Sequence, residues 1–173
     1  MTETMTTNKP IKASDIEPKF RCEVSKIHGS EKLLSCYQCG TCTSDCPIAK
    51  FSDTYRPRRL IRLVQLGLKE QALKDESLWL CASCFTCTDR CPQNIKVASV
   101  IRAMRNESAK QGKFPTVFRE QTVSVLNSGY AYKIPELRKR KRSTLGLPPL
   151  PNSDSEKIRK ILKKTGIREL VEK

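Results

Sequence analysis

Apolar residues recur at helical spacing in two stretches of the chain. Leu60, Leu63, Val64 and Leu68 share one helical face, and Arg58, Arg62, Gln65 and Lys69 stand on the other. Steps of three and four residues predict an amphipathic helix. Pro57 stands at its opening turn, where a missing N–H is tolerated. Val97, Val100, Ile101 and Met104 form a second stripe, with Ser99, Arg102, Asn106 and Lys110 facing away. A weaker pattern runs from Pro115 to about Asn127, and no stretch reads as a hairpin. Residues 1–20 are rich in Thr, Lys, Asn and Pro without a period, which predicts a flexible tail. Beyond residue 130 the character changes. The basic run Arg138-Lys-Arg-Lys-Arg142 leads into Gly146-Leu-Pro-Pro-Leu-Pro151, which reads as a linker. Ser153 and Glu156 have capping-box spacing. They predict a short basic helix with Ile158, Ile161 and Leu162 on its apolar face. Lys163 and Lys164 fall near its C-terminal end, where the helix dipole favours cations.

A repeat precedes the two strong helices. Cys36-Tyr-Gln-Cys39-Gly-Thr-Cys42-Thr-Ser-Asp-Cys46-Pro47 returns as Cys81-Ala-Ser-Cys84-Phe-Thr-Cys87-Thr-Asp-Arg-Cys91-Pro92, each cysteine displaced by 45 residues. Leu33-Leu34 leads into the first copy and Leu78-Trp79-Leu80 into the second. Nine cysteines in 173 residues is a high count. Met1 to Pro10 is polar and has no apolar core of a secretory signal. The longest apolar-rich stretch, Leu60–Leu68, is interrupted by Arg62, Gln65 and Gly67, so no membrane span is expected. These features point to the cytoplasm, where clustered cysteines favour metal over disulfides.

The spacing C-x2-C-x2-C-x3-C-P, present twice, is that of chains that hold two [4Fe–4S] clusters, in which the fourth cysteine ligates the other cluster. Three cysteines two residues apart let a tight loop wrap three corners of a small cube. The fourth lies beyond the loop and reaches across. The first cluster is therefore assigned to Cys36, Cys39, Cys42 and Cys91, and the second to Cys81, Cys84, Cys87 and Cys46. Zinc also accepts four thiolates, but its sites pair two C-x-x-C knuckles over a longer spacer. Gly40 is expected to keep a side chain away from the cube and to permit unusual backbone angles. Pro47 and Pro92 close the loops. The formal net charge is +15; eight thiolates around two cubane cores of charge +2 lower it to about +11. The chain remains basic enough to suit acidic surfaces.

The 45-residue offset leaves room for a helix between the motifs. The predicted fold is thus mainly α: an α-helical ferredoxin-like domain over residues 21–130 carrying motifs 36–47 and 81–92. Residues 1–20 form an N-terminal tail, and 131–173 a basic linker with a short C-terminal helix.

Two segments resemble the C subunit of heterodisulfide reductase from methanogenic archaea: Tyr55-Arg-Pro-Arg-Arg-Leu-Ile-Arg-Leu-Val-Gln-Leu-Gly67, and Leu78-Trp-Leu through the second motif to Pro92. The resemblance spans residues 20–130. It implies an electron-transfer subunit that relays electrons from a flavin- and cluster-rich subunit to a cysteine-rich catalytic one. On the latter the mixed disulfide of coenzyme M and coenzyme B is reduced. The resemblance also implies a cytosolic complex in which a hydrogenase or formate dehydrogenase supplies electrons, the flavin bifurcates them, and ferredoxin is reduced in parallel. The residues carried over are the eight cysteines. No catalytic residue is expected here, since the chain has no adjacent Cys-Cys pair.

An iron–sulfur subunit of a succinate, glycerol-3-phosphate or glycolate flavin dehydrogenase is the competing reading. Such subunits usually carry a further domain for which this chain has no room. A nucleic-acid module using Arg138 to Arg142 is disfavoured, because blocks of like charge are commonly solvated tails. Cys22, outside both motifs, is expected to be a packed, reduced thiol, and His28 to be no ligand. Trp79 and Phe85 are expected to pack against the cluster loops. The Arg58, Arg62 and Lys69 face is expected to be solvated or to meet an acidic partner.

Overall fold

The computed structural model describes residues 10–132, 134–150 and 155–172. Among them all regular structure is helical, so the chain is mainly α. It divides into two compact units, Met1–Lys113 and Phe114–Lys173.

The first unit holds α1 (Pro18–Ser25), α2 (Thr41–Ser44), α3 (Pro57–Gln65), α4 (Lys69–Lys74), α5 (Thr86–Asp89) and α6 (Val97–Lys110). Pro57 opens α3 as the sequence predicts. The stripe Leu60, Leu63, Val64 and Leu68 is buried, joined by Ile61, and so is Val97, Val100, Ile101 and Met104 on α6. Helix α3 packs on α4 and α6, and Phe20 and Val24 of α1 enter the same core. Each fully buried side chain of this kind contributes about 1.5–3 kcal/mol relative to exposure. Ser99 is buried rather than facing away. Its Cβ stands 2.9 Å from where a Cβ on Gly29 would lie, so the small Ser99 fits because Gly29 has no side chain. At the end of α6, Ser108 is fully buried. Its hydroxyl donates to the carbonyls of Leu73 at 2.8 Å and Lys113 at 2.6 Å.

Gly67 follows α3 at φ +76°, and a Cβ there would lie 2.6 Å from the Glu17 carbonyl oxygen. Glu17 N–H in turn donates to the Gly67 carbonyl at 2.8 Å. Only glycine allows this close approach, which ties the lead into α1 to the end of α3.

Helices α3 and α6 are themselves repeat copies, displaced by 40 residues: Pro57, Leu60, Ile61, Val64 and Gln65 correspond to Val97, Val100, Ile101, Met104 and Arg105. The cysteines are displaced by 45. The connection from Pro47 to α3 is therefore five residues longer than that from Pro92 to α6.

The second unit holds α7 (Thr116–Ser128), α8 (Glu136–Thr144), α9 (Ser155–Lys164) and α10 (Ile167–Glu172). Helices α7, α9 and α10 pack on one another. Arg119 donates to the Val171 carbonyl at 2.8 Å and Arg159 to the Leu126 carbonyl at 3.0 Å. The run Arg138–Arg142 lies within a helix instead of a linker. Leu, Lys and Arg are good helix formers, and Glu136 sits in the first turn, where it pairs with Lys139 at 2.6 Å. Of the residues placed on the apolar face of α9, Ile158 and Leu162 are half-buried while Ile161 is 60% exposed. The packed stripe is narrower than the sequence suggests. The Ser153 end of the capping box and Pro151 lie outside the described residues, as do residues 1–9 of the predicted tail, whose last residues, Pro18 to Phe20, already belong to α1.

Candidate functional site

Each cysteine loop begins with a 3₁₀ turn that anchors one leucine in the core. Leu33 does this in Leu33–Ser35 and Leu78 in Glu76–Leu80, and both are fully buried. The backbone then enters the left-handed region twice. Gln38 and Gly40 do so at φ 65° and 94°, and their repeat counterparts Ser83 and Phe85 at 53° and 63°. Alternating handedness turns successive N–H groups toward one side and makes an anion-binding nest. The Ser83 N–H donates to the Cys81 sulfur at 3.4 Å. Against the protein's own atoms Gly40 has room. A Cβ there would meet only the Arg58 side chain, at 3.6 Å, and Phe85 adopts the same turn without being glycine. The backbone angle is what glycine eases, at about 1–2 kcal/mol for another residue.

The one-turn helices α2 and α5 follow. They pack against each other and carry the third cysteine of each motif. Cys36, Cys39, Cys42 and Cys91 line one cavity together with Ile61, Ile95 and Val97. The thiols that act electrostatically on Cys42 are those of Cys36, Cys39 and Cys91. Those that act on Cys87 are Cys81, Cys42, Cys46 and Cys84. Cys46 thus lies among the second-motif cysteines and Cys91 among the first, and Cys42 stands where the two groups meet. Cys46 and Cys87 are buried, whereas Cys39 and Cys84 are exposed. Burial pushes the Cys42 thiol up to about 11 and the Cys87 thiol up to about 12. The hydroxyls of Thr41 and Thr86 hold Cys39 and Cys84 below the usual thiol value. Bound iron overrides such shifts, because a coordinating thiol is deprotonated outright.

Around the loops lies a set of polar residues in matched pairs. Thr43 accepts the Arg58 N–H at 3.0 Å, and Thr88 accepts the Ala98 N–H at 3.3 Å. Arg58 and Ala98 are the second residues of α3 and α6, so each loop caps the helix that follows it. Gln65 donates to the carbonyls of Leu33 at 3.5 Å and Cys36 at 2.8 Å. Its counterpart Arg105 donates to those of Leu78 at 2.9 Å and Cys81 at 2.7 Å. Gln38 donates to Cys36 sulfur at 3.4 Å and to Gln65 at 3.1 Å. In the longer connection, Arg56 donates to the carbonyls of Ala49 at 3.2 Å, Tyr55 at 2.9 Å and also Ser52. The loop so braced buries Tyr55 to 1% exposure. Burial, followed by the nearby Cys81 thiol, pushes the Tyr55 pKa far above the usual phenol value.

Residues 32–95 match the 4Fe-4S dicluster domain family. Over most of its length the chain is similar to three archaeal proteins. It is 33% identical to the C subunit of the H(2):CoB-CoM heterodisulfide,ferredoxin reductase of Methanothermobacter thermautotrophicus, covering 93% of this chain and 89% of the relative. It is 34% identical to the iron-sulfur C subunit of the CoB-CoM heterodisulfide reductase of Methanopyrus kandleri, covering 92% and 88%. It is 35% identical to the C subunit of the ferredoxin/F(420)H(2)-dependent CoB-CoM heterodisulfide reductase of Methanosarcina acetivorans, covering 82% and 90%. The chain belongs to the family of heterodisulfide reductase C subunits. It is an iron–sulfur electron-transfer subunit of an oxidoreductase complex and carries two [4Fe–4S] clusters. The residues fit that cofactor, since thiols from both motifs line the cavity on the first loop. No described helix is long and apolar enough to cross a membrane.

Some of the residues singled out in the sequence take other places in this subunit than expected. Cys22 is exposed rather than packed. Phe20 and Val24 define the buried face of α1, and a residue two after Phe20 falls on the opposite side of a 3.6-residue turn. The His28 side chain is 96% exposed, 3.7 Å from Glu31. Phe85 is 42% exposed, while Trp79 is half-buried against the core with the Arg105 guanidinium 5.6 Å from its ring centre. Gln65, assigned to the polar face, instead braces the first loop. Arg58 is exposed, yet it lines the first-loop cavity. Tyr55, Arg56 and Arg105 carry no motif of their own. The 40-residue register of α3 on α6 is the signal that pairs Gln65 with Arg105.

Proposed function

We propose that this chain is the relay subunit of a cytosolic heterodisulfide reductase complex. It takes electrons from a flavin-containing, cluster-rich subunit and delivers them to a cysteine-rich subunit that reduces the coenzyme M–coenzyme B heterodisulfide in methanogenesis. A hydrogenase or formate dehydrogenase supplies the electrons, and bifurcation at the flavin reduces ferredoxin in parallel. The name of the Methanothermobacter relative, which couples hydrogen, heterodisulfide and ferredoxin, supports this reading.

The ligand sets are Cys36, Cys39, Cys42 and Cys91 for the first cluster, and Cys81, Cys84, Cys87 and Cys46 for the second. The observation that carries the crossed assignment is the cavity that Cys91 shares with the first three cysteines of the other motif. When bound, each cluster takes up and releases single electrons at a potential set by burial and by hydrogen bonds to sulfur. The chain's residues hold the two sites against each other through α2 and α5. Exposed Cys39 and Cys84 bring one edge of each site to the surface, where a partner can approach.

The test is anaerobic isolation of the full chain from its native host. The expected result is co-isolation of a flavoprotein and a cysteine-rich subunit. Clusters reduced in advance should be reoxidised by the heterodisulfide only while the cysteine-rich subunit is present. Co-isolation with a succinate-type flavoprotein and no cysteine-rich subunit contradicts the proposal.

A further inference from the structure

The repeat supplies an internal comparison. The two loops present their cysteines at matched spacing, with the backbone left-handed at the same two positions, so the larger differences between the sites lie in what surrounds them. Two differences fall where α3 and α6 correspond with a shift of 40 residues. Tyr55 corresponds to Ile95. Ile95 lines the first-loop cavity with Cys36, Cys42 and Cys91. Tyr55 stands in the related position, buried to 1% exposure beside the Cys81, Cys46 and Cys87 thiols. One site therefore meets hydrocarbon where the other meets a buried phenol. Gln65 corresponds to Arg105, and each donates to the two related carbonyls of its own loop. One brace is a neutral amide and the other a half-buried cation.

Reduction adds negative charge that spreads over iron, sulfide and the cysteine sulfurs. A donor or cation close to those sulfurs stabilises the reduced form more than the oxidised form, which raises the potential. The effect is strongest where water is excluded. We propose that Tyr55 and Arg105 are positioning residues that raise the reduction potential of the cluster on the second loop. They thereby make two repeated sites unequal. Opposing groups act on the first loop. The exposed Tyr37 lies beside the Cys39 thiol, and the exposed Arg58 side chain lines its cavity. Both face water, which screens them, whereas Tyr55 is buried. Two neutral donors of the first site are half-buried: the Gln38 amide donates to Cys36 sulfur and the Ile95 N–H to Cys91 sulfur, each at 3.4 Å. The variants, rather than the order of the wild-type midpoints, therefore test the proposal.

The inference rests on the iron–sulfur reading proposed above but not on the crossing of ligands, because Cys81 serves the second loop whichever fourth cysteine completes it. The experiment is an EPR-monitored redox titration of the anaerobically loaded full chain, with iron content checked in every variant. Tyr55→Phe keeps the ring and deletes the donor. It should lower one of the two midpoints and leave the other in place. Tyr37→Phe should move the other midpoint, and less. Arg105→Gln copies the brace of the first loop and should lower the same midpoint as Tyr55→Phe, which keeps the test open if Tyr55→Phe loads poorly. Two wild-type midpoints that neither Tyr55→Phe nor Arg105→Gln displaces would overturn the inference, as would displacement of the midpoint that Tyr37→Phe moves. A wild-type chain without two titrating clusters contradicts the underlying reading and the inference with it.

Discussion

Cys22 carries the same thiol as the eight motif cysteines, and exposure does not set it apart, since Cys39 and Cys84 are exposed as well. Coordination does. A thiolate bound to iron is withheld from an alkylating reagent, whereas a free exposed thiol reacts. Alkylation of the loaded protein, followed by peptide mass mapping, should label Cys22 and spare the motif cysteines. After iron is removed by a chelator under denaturing conditions, all nine cysteines of the chain should be labelled. Substituting Cys22→Ala should leave the iron content unchanged. At this scale the sequence is most legible where chemistry demands a residue type at a fixed spacing, as it does for the cysteines. It is least legible for the residues that support them. Gln65 reads as one more polar position on a helix, and only the packing of α3 under the first loop turns its amide toward Cys36. Tyr55 sits in a stretch without periodicity, and its burial depends on Arg56 folding the loop around its own guanidinium.

Neither α3 nor α6 has a side-chain cap from its own N-cap residue. The loop threonines supply the acceptor, so cluster loop and helix N-terminus depend on each other. Removing a capping oxygen costs about 1 kcal/mol of stability. Thr43→Val and Thr88→Val keep the side-chain shape and should each destabilise the loaded protein by about that amount. A fall in the temperature at which cluster absorbance is lost should report it, with iron stoichiometry at low temperature unchanged. The two helices were legible from their apolar stripes because burial on one face imposes a 3.6-residue period. Their relation to each other was hidden by the five extra residues after Pro47, which put cysteines and helices in different registers. Ser99 departs from its polar-face reading for a related reason. A small hydroxyl side chain reads as polar, but opposite Gly29 it fits a tight contact. The basic helix α8 shows the converse, where charge suggested a linker and good helix formers made a helix.

For the molecule as a whole, the exchange of one cysteine between loops would make each half incomplete without the other. Cys46 follows α2 and lies among the thiols of the second motif, while Cys91 follows α5 and shares the cavity of the first. Two quartets interlaced in this way hold α2 against α5 and keep the two inorganic centres close, which is what a short relay between partner proteins requires. Such an arrangement makes the fourth cysteine of each motif diagnostic. The most direct measurement is EPR of the dithionite-reduced, anaerobically loaded Cys46→Ala and Cys91→Ala proteins, with Tyr37→Phe and Tyr55→Phe marking which signal belongs to which loop. Cys46→Ala should lose or convert the signal of the second-loop cluster and keep that of the first, and Cys91→Ala should do the reverse. Loss of the first-loop signal in Cys46→Ala, with the second intact, would contradict the interlaced assignment.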